Sequence, residues 1–110
     1  LQRSVALKPA FAEAHGNLGT ALQSAHRYED AETALRTAVA QSPQTAAFHF
    51  NLGNLLAKTR RLPQAVDAYR DAVRLQPHYP EAHSNLGTAL RDLERLDDAT
   101  HAFETAVAQN

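Results

Sequence analysis

The sequence has no cysteine, no tryptophan and no methionine, and only four glycines and five prolines among its 110 residues. Without cysteine there is no disulfide, no thiolate metal site and no cysteine nucleophile, so packing alone must hold the fold, and the redox compartment is left open. Aromatic residues make up 6% of the chain, too few for a core built on large rings, and the apolar content of 44% leans on alanine, which favours closely packed helices. An excess of one charge is missing too. Eleven basic and twelve acidic residues are interspersed and leave a net charge of −1, so there is no basic footprint for nucleic acid or an anionic membrane, and neither is expected as a partner. No apolar run approaches the ~18 residues of a membrane span. The start, Leu1-Gln2-Arg3-Ser4, lacks the basic-then-apolar layout of a secretion signal, which makes a cytoplasmic location the default expectation. The absence of methionine even at the first position points to a piece of a longer protein.

What is present is a repeat. Asn-Leu-Gly occurs at Asn17-Leu18-Gly19, Asn51-Leu52-Gly53 and Asn85-Leu86-Gly87, each 34 residues after the last. Histidine precedes each asparagine by two residues (His15, His49, His83). Alanine recurs at Ala31, Ala65 and Ala99, Ala-Val at Ala38-Val39, Ala72-Val73 and Ala106-Val107, and proline at Pro9, Pro43 and Pro77. Within a unit, apolar and small residues fall at helical spacing in two runs separated by a short polar turn, Ala12 to about Ser24 and then about Tyr28 to Gln41 in the first unit. Pro63 and Pro80 fall in helical first turns, where a missing amide hydrogen costs little. Each unit is therefore a helix A, a turn and a helix B. A glycine inside a helix costs about 1 kcal/mol relative to alanine, so Gly19, Gly53 and Gly87 require a compensating close contact. The expected partners are the early helix B alanines: Gly19 against Ala31, Gly53 against Ala65 and Gly87 against Ala99.

These positions resemble the tetratricopeptide-repeat family, whose pattern the middle unit carries as His49, Leu52, Gly53, Leu56, Ala65, Tyr69, Ala72 and Pro77. The sequence departs from that family in placing histidine where tryptophan or tyrosine is usual, and leucine (Leu22, Leu56, Leu90) where tyrosine is frequent. The resemblance implies an all-α fold, a right-handed superhelical solenoid of antiparallel helix pairs in about three units. Residues 1–9 are expected to end a preceding helix B, with repeats at 12–45, 46–79 and 80–110, the last stopping before its closing proline. No polar capping helix follows, so apolar ends are expected to be exposed and to associate end to end.

In such a solenoid the helices A line the concave face. The stripe opposite the Leu-Gly edge reads Glu13, Gly16, Asn17, Thr20 and Ser24, then Ala47, Phe50, Asn51, Asn54 and Lys58, then Glu81, Ser84, Asn85, Thr88 and Asp92. The ladder Asn17, Asn51, Asn85 is its most informative feature. A carboxamide sets a donor beside an acceptor, as a peptide group does, and can bond an extended backbone whatever its side chains. The ladder is similar to that of the repeat arrays of O-linked N-acetylglucosamine transferases, which implies a groove holding substrate protein. Asparagine at this position is also frequent across the wider family, where it solvates helix A, and both readings stand. Thr20, Asn54 and Thr88 lie on the same stripe as candidate contacts. Phe50 is flanked in register by Gly16 and Ser84; it either anchors an apolar ligand side chain or packs sideways onto the neighbouring helix. The repeat proteins that clamp a chaperone C-terminal carboxylate place lysine and arginine on this stripe, whereas here it carries Glu13, Glu81 and neutral groups, so that role is not expected.

Catalytic and metal chemistry find no motif. His15, His49 and His83 would stack one per repeat, about 10 Å apart, too far to share an ion whose bonds are ~2 Å. Gly16 and Gly19 lie within a helix and cradle no phosphate, and Lys58-Thr59-Arg60-Arg61 falls at a helix C-terminus, where cations suit the dipole. No catalytic residue, metal or cofactor is expected. The sequence reads as a non-catalytic scaffold for a protein or peptide partner, with two alternatives: the substrate-recruiting arm of a larger enzyme such as a glycosyltransferase, or an architectural spacer.

Overall fold

The computed structural model describes the backbone of residues 2–110 and the side chains of residues 11–110. The expected end of a preceding helix B, at residues 1–9, falls outside the described side chains. Six helices and no strand make up the described residues: α1 (Gln2–Ser24), α2 (Tyr28–Gln41), α3 (Ala46–Lys58), α4 (Leu62–Leu75), α5 (Pro80–Asp92) and α6 (Leu96–Gln109). The chain is an all-α helical repeat solenoid.

Helix A ends the same way in every unit. His26, Arg60 and Glu94 take positive φ (64°, 65° and 63°), and the next residue's amide reaches back to a carbonyl of the last turn. These bonds are Arg27 to Leu22 at 2.9 Å, Arg61 to Leu56 at 2.8 Å and Arg95 to Leu90 at 2.8 Å, the pattern of a Schellman cap. Such a cap reverses the chain within three residues, so α2, α4 and α6 fold back antiparallel on α1, α3 and α5. Pro63 and Pro80 lie in the first turns of α4 and α5, and acidic residues start α2, α5 and α6, where the helix dipole favours them.

Direct contacts run between α1 and α2, α3 and α4, and α5 and α6 within units, and between α2 and α3 and α4 and α5 across units. In addition α1 touches α3 and α3 touches α5, while α2 does not reach α4, nor α4 α6. The A helices therefore converge and the B helices splay, which makes the surface of α1, α3 and α5 the concave one. The core between the layers centres on Tyr69, Leu35, Leu55, Leu56 and Leu90, each no more than 2% exposed. Each is worth about 1.5–3 kcal/mol of apolar transfer.

The helical glycines do meet helix B closely, but their main partner differs from the sequence expectation. A Cβ at Gly53 would lie 2.8 Å from the Tyr69 ring, at Gly19 2.6 Å from Leu35, and at Gly87 2.7 Å from Phe103. Of the alanines named from sequence, Ala31 is among the nearest contacts, through its carbonyl oxygen at 3.3 Å from the Gly19 position, while ring atoms come first at Gly53 and Gly87. The reason is reach. The large side chain one turn further along helix B fills the space a missing methyl leaves, while the alanines sit buried beside it.

Successive units are joined by polar contacts as well. Nε2–H of His49 donates to the Pro43 carbonyl at 2.9 Å, and that of His83 to the Pro77 carbonyl at 3.0 Å. Gln109 adds a second tie at the latter turn, accepting from the Tyr79 amide at 2.9 Å and donating to the Pro77 carbonyl at 2.7 Å. Arg61 forks onto both oxygens of Glu32, at 2.5 and 3.3 Å, and Arg36 donates to the same carboxylate at 2.8 Å. The Arg61 hydrogen bond is the main reason the Glu32 carboxyl is held below its ordinary pKa.

Candidate peptide-binding groove

The concave face is built from positions that leave the packing edge of each A helix. In α3 the buried edge is His49, Leu52, Gly53 and Leu56, which turns Phe50, Asn51, Asn54 and Lys58 toward the inner surface. Two adjoining clefts lie there. One, of about 390 Å³, spans α1 and α3 and is lined by Thr20, Gln23, Ser24, His26, Asn51, Asn54 and Lys58. The other, of about 490 Å³, spans α3 and α5 and includes Asn54, Lys58, Tyr69, Asn85, Thr88 and Asp92. Asn54, Lys58 and Gln23 belong to both, so the clefts form one continuous groove.

Asn54 is the organising residue. Its Oδ1 accepts from the Tyr69 hydroxyl at 2.6 Å and from Asn85 Nδ2 at 2.9 Å. The Tyr69 ring is only 2% exposed, and burial pushes its phenol up to about 12, so the hydroxyl stays protonated and donates throughout the physiological range. With its oxygen satisfied twice, Asn54 retains its amide hydrogens, and Asn85 retains its carbonyl oxygen. Neither group has a partner among the described residues, and neither is a buried orphan. Flipping both amides exchanges the roles but again leaves one donor and one acceptor.

The three asparagines of the ladder are thus in different states. Asn17 is exposed on α1, Asn51 is half-buried in the first cleft, and Asn85 is turned onto Asn54 across the A-helix junction. Thr20 and Thr88 face the groove and bond their own helix carbonyls, at Gly16 and Ser84, both at 3.2 Å. Phe50 stacks sideways against Tyr79, with centroids 5.0 Å apart, and Tyr69, at 6.0 Å. It also borders a further cleft of about 430 Å³ with Pro80, Ser84, Asn85 and Phe103. The Gly16 side, which flanks Phe50 in register, is filled by Phe48, whose ring lies 2.8 Å from where a Gly16 Cβ would stand. Tyr79 lies near Glu81; burial first, and that charge second, raise its pKa.

Sequence reasoning named Tyr69 only as a position of the repeat pattern and missed its hydroxyl as the support of the groove. A signal existed, since helix B carries leucine, tyrosine and phenylalanine in register at Leu35, Tyr69 and Phe103, and only the middle unit pairs that hydroxyl with an asparagine, Asn54, where its neighbours have Thr20 and Thr88. Among the described residues no group of three or more His, Asp or Glu side chains could hold a metal ion, and no helix is long and apolar enough to cross a membrane.

Comparison with known proteins agrees with this architecture. A family model described as tetratricopeptide repeat matches residues 17–80, and the chain belongs to that family. A comparison with curated protein sequences found no match. Among solved structures, the crystal structure of MamA is similar with a TM-score of 0.86 and 26% identity, covering 89% of this chain; the chain spans only 57% of MamA. The second TPR of Spaghetti (RPAP3), bound to the HSP90 peptide SRMEEVD, has a TM-score of 0.92 and 22% identity over 98% of this chain and 99% of its own. The TPR2B-domain:pHsp70 complex of yeast Sti1 has a TM-score of 0.87 and 20% identity over 91% and 80%.

Proposed function

We propose that this chain is a protein-interaction module that holds an extended peptide segment along α1, α3 and α5, with the Asn54–Asn85 amide pair as its backbone anchor. The observation that carries the reading is the saturation of Asn54 Oδ1 by Tyr69 and Asn85, which leaves a donor and an acceptor side by side in an open groove. An extended strand presents that same pair of groups along its edge. The buried Tyr69 hydroxyl fixes the amide before ligand arrives, so less side-chain entropy is lost on binding. Asn51 and Thr88 flank the pair and extend the polar track in both directions, with Asn17 and Thr20 beyond Asn51 and the edge of Phe50 available to an apolar ligand side chain. The similar RPAP3 and Sti1 structures hold chaperone-derived ligands, which supports a peptide-binding use of the scaffold.

The test is a display selection of random linear peptides on the chain, followed by titration of recovered peptides against Asn54→Ala, Asn85→Ala and Asn17→Ala, with helicity checked by circular dichroism. Each of the first two changes is expected to weaken binding by about tenfold and Asn17→Ala by less. Peptides that bind all three variants as they bind wild type would remove the amide pair from the mechanism.

A second reading concerns the ends. On α6, Val107 is 75% exposed and Leu96 60%, in register with the faces of α2 and α4 that receive the next A helix; on α1, Leu18 is 49% exposed. These surfaces fit end-to-end association of copies. Sedimentation over a concentration series tests it: Val107→Glu should abolish any concentration-dependent mass, and wild type that stays monomeric throughout would exclude it.

A further inference from the structure

Among the described residues most cations are ion-paired, and one that is not lies in the groove. Arg27, Arg36, Arg60, Arg61, Arg74, Arg91 and Arg95 each have a carboxylate partner within the protein. All twelve acidic residues of the sequence lie within residues 11–110, so every carboxylate side chain is described, and none pairs with Lys58. Arg70 is the other such cation among the described residues, and it is exposed on α4, away from the clefts described above. Lys58 lines both halves of the groove.

A position at the end of α3 explains why a cation is favoured there. It does not explain the surroundings. The cleft between α1 and α3 has no carboxylate on its lining; beside Lys58 it presents the hydroxyls of Thr20 and Ser24 and the amides of Asn51 and Asn54. In the neighbouring cleft the single acid, Asp92, is already engaged by Arg60 at 3.5 Å and Arg91 at 3.8 Å. The groove is thus a polar surface with one uncompensated positive charge.

We infer that Lys58 selects an acidic side chain, Asp or Glu, within the bound peptide, seated in the cleft between α1 and α3 beside the backbone anchor at Asn54. This rests on the reading of the groove given above and adds the chemistry of its ligand. One lysine matches the single charge of a carboxylate, whereas a phosphate dianion calls for a cluster of cations. The groove also runs on past Lys58 into the second cleft, so the ligand chain passes through and does not end there, which makes the acid a side chain and not a chain terminus.

Peptides displayed without a free C-terminus are selected in parallel on wild type and on Lys58→Glu, a change at an exposed residue that gives up only a favourable helix-end charge, with helicity checked by circular dichroism. Wild type should enrich Asp or Glu at one fixed position, and Lys58→Glu should lose that preference or replace it with Lys or Arg. A synthetic peptide from the wild-type pool should lose about fivefold in affinity when that acid becomes its amide, an effect that shrinks with added salt and is absent on Lys58→Glu. Amidating the peptide's C-terminus should change nothing. Enriched peptides with no acidic position, or the same acidic position on both proteins, would overturn this inference and leave the groove reading standing. A wild-type selection that recovers no binding peptide would overturn both.

Discussion

Replacing Gly53 by alanine sets two calculable effects against each other. In an unconstrained helix the change stabilises by about 1 kcal/mol through backbone propensity. Here the new methyl would lie 2.8 Å from two carbons of the Tyr69 ring and 3.2 Å from a third, closer than carbon atoms normally pack. The ring cannot swing aside, because it is 2% exposed, tilted against Phe50 at 6.0 Å and tethered by its hydroxyl to Asn54. Overpacking of that kind costs about 1–3 kcal/mol, so Gly53→Ala should be destabilising by about 1 kcal/mol net. Gly87→Ala provides the contrast. Its methyl would meet Phe103 at 2.7 Å, but that ring is half-buried on α6 with an open side and can turn outward. The propensity gain should then cancel most of the strain and leave stability nearly unchanged. Urea unfolding followed by circular dichroism separates the two, since with a typical slope a 1 kcal/mol loss lowers the midpoint by roughly 0.5 M. A stabilised Gly53→Ala, or equal effects at the two sites, would refute the argument that Tyr69 is locked by both core and groove.

Other consequences can be measured on the same protein. Glu94 holds φ at 63° with no ion pair among the described residues to support it, so Glu94→Gly should raise stability by about 0.5–1 kcal/mol by calorimetry; no change would mean that the cap is unstrained. Glu32 is held below its ordinary 4.5 chiefly by Arg61, so it contributes stability above that pH that is lost as pH falls through its lowered folded value. Glu32→Gln should therefore be less stable than wild type at neutral pH and approach it in acid, and a constant difference down to pH 3 would count against the pair. Tyr69 is raised to about 12, so its contribution is whole below pH 10 and declines as pH climbs from 10 toward 12. Tyr69→Phe should flatten alkaline unfolding over that span and remove the last-titrating phenol from the ultraviolet absorbance curve.

The repeat made the scaffold readable before any coordinates. Helix A of the first unit was expected from Ala12 to near Ser24 and helix B from Tyr28 to Gln41; α1 ends and α2 spans at those residues, but α1 begins at Gln2 and not at Ala12. Pro63 and Pro80 fell in first turns as expected. Such features are local or periodic, and a 34-residue pattern states them three times. What escaped reading depended on side-chain reach across helices. Gly53 announced a close approach, but its identity turned on whether Ala65 or the longer Tyr69 fills the gap. The asparagine ladder looked uniform in sequence, yet only Asn85 has an Asn54 on the preceding helix to turn toward, because the equivalent of Asn54 in the first unit is Thr20. His49 and His83 were read from sequence only as too far apart to share an ion, and their bonds to Pro43 and Pro77 carbonyls emerged only when the inter-unit turn was in place.

The most direct test of peptide capture on the concave face is a nuclear magnetic resonance titration of the labelled chain with a peptide recovered by selection, following the side-chain amide signals of Asn51, Asn54 and Asn85. Capture on the concave face should shift these signals together and saturate at one peptide per chain while α2, α4 and α6 stay largely unmoved. Shifts confined to the outer helices or to the exposed end of α6, with the three asparagine amides unchanged, would contradict it.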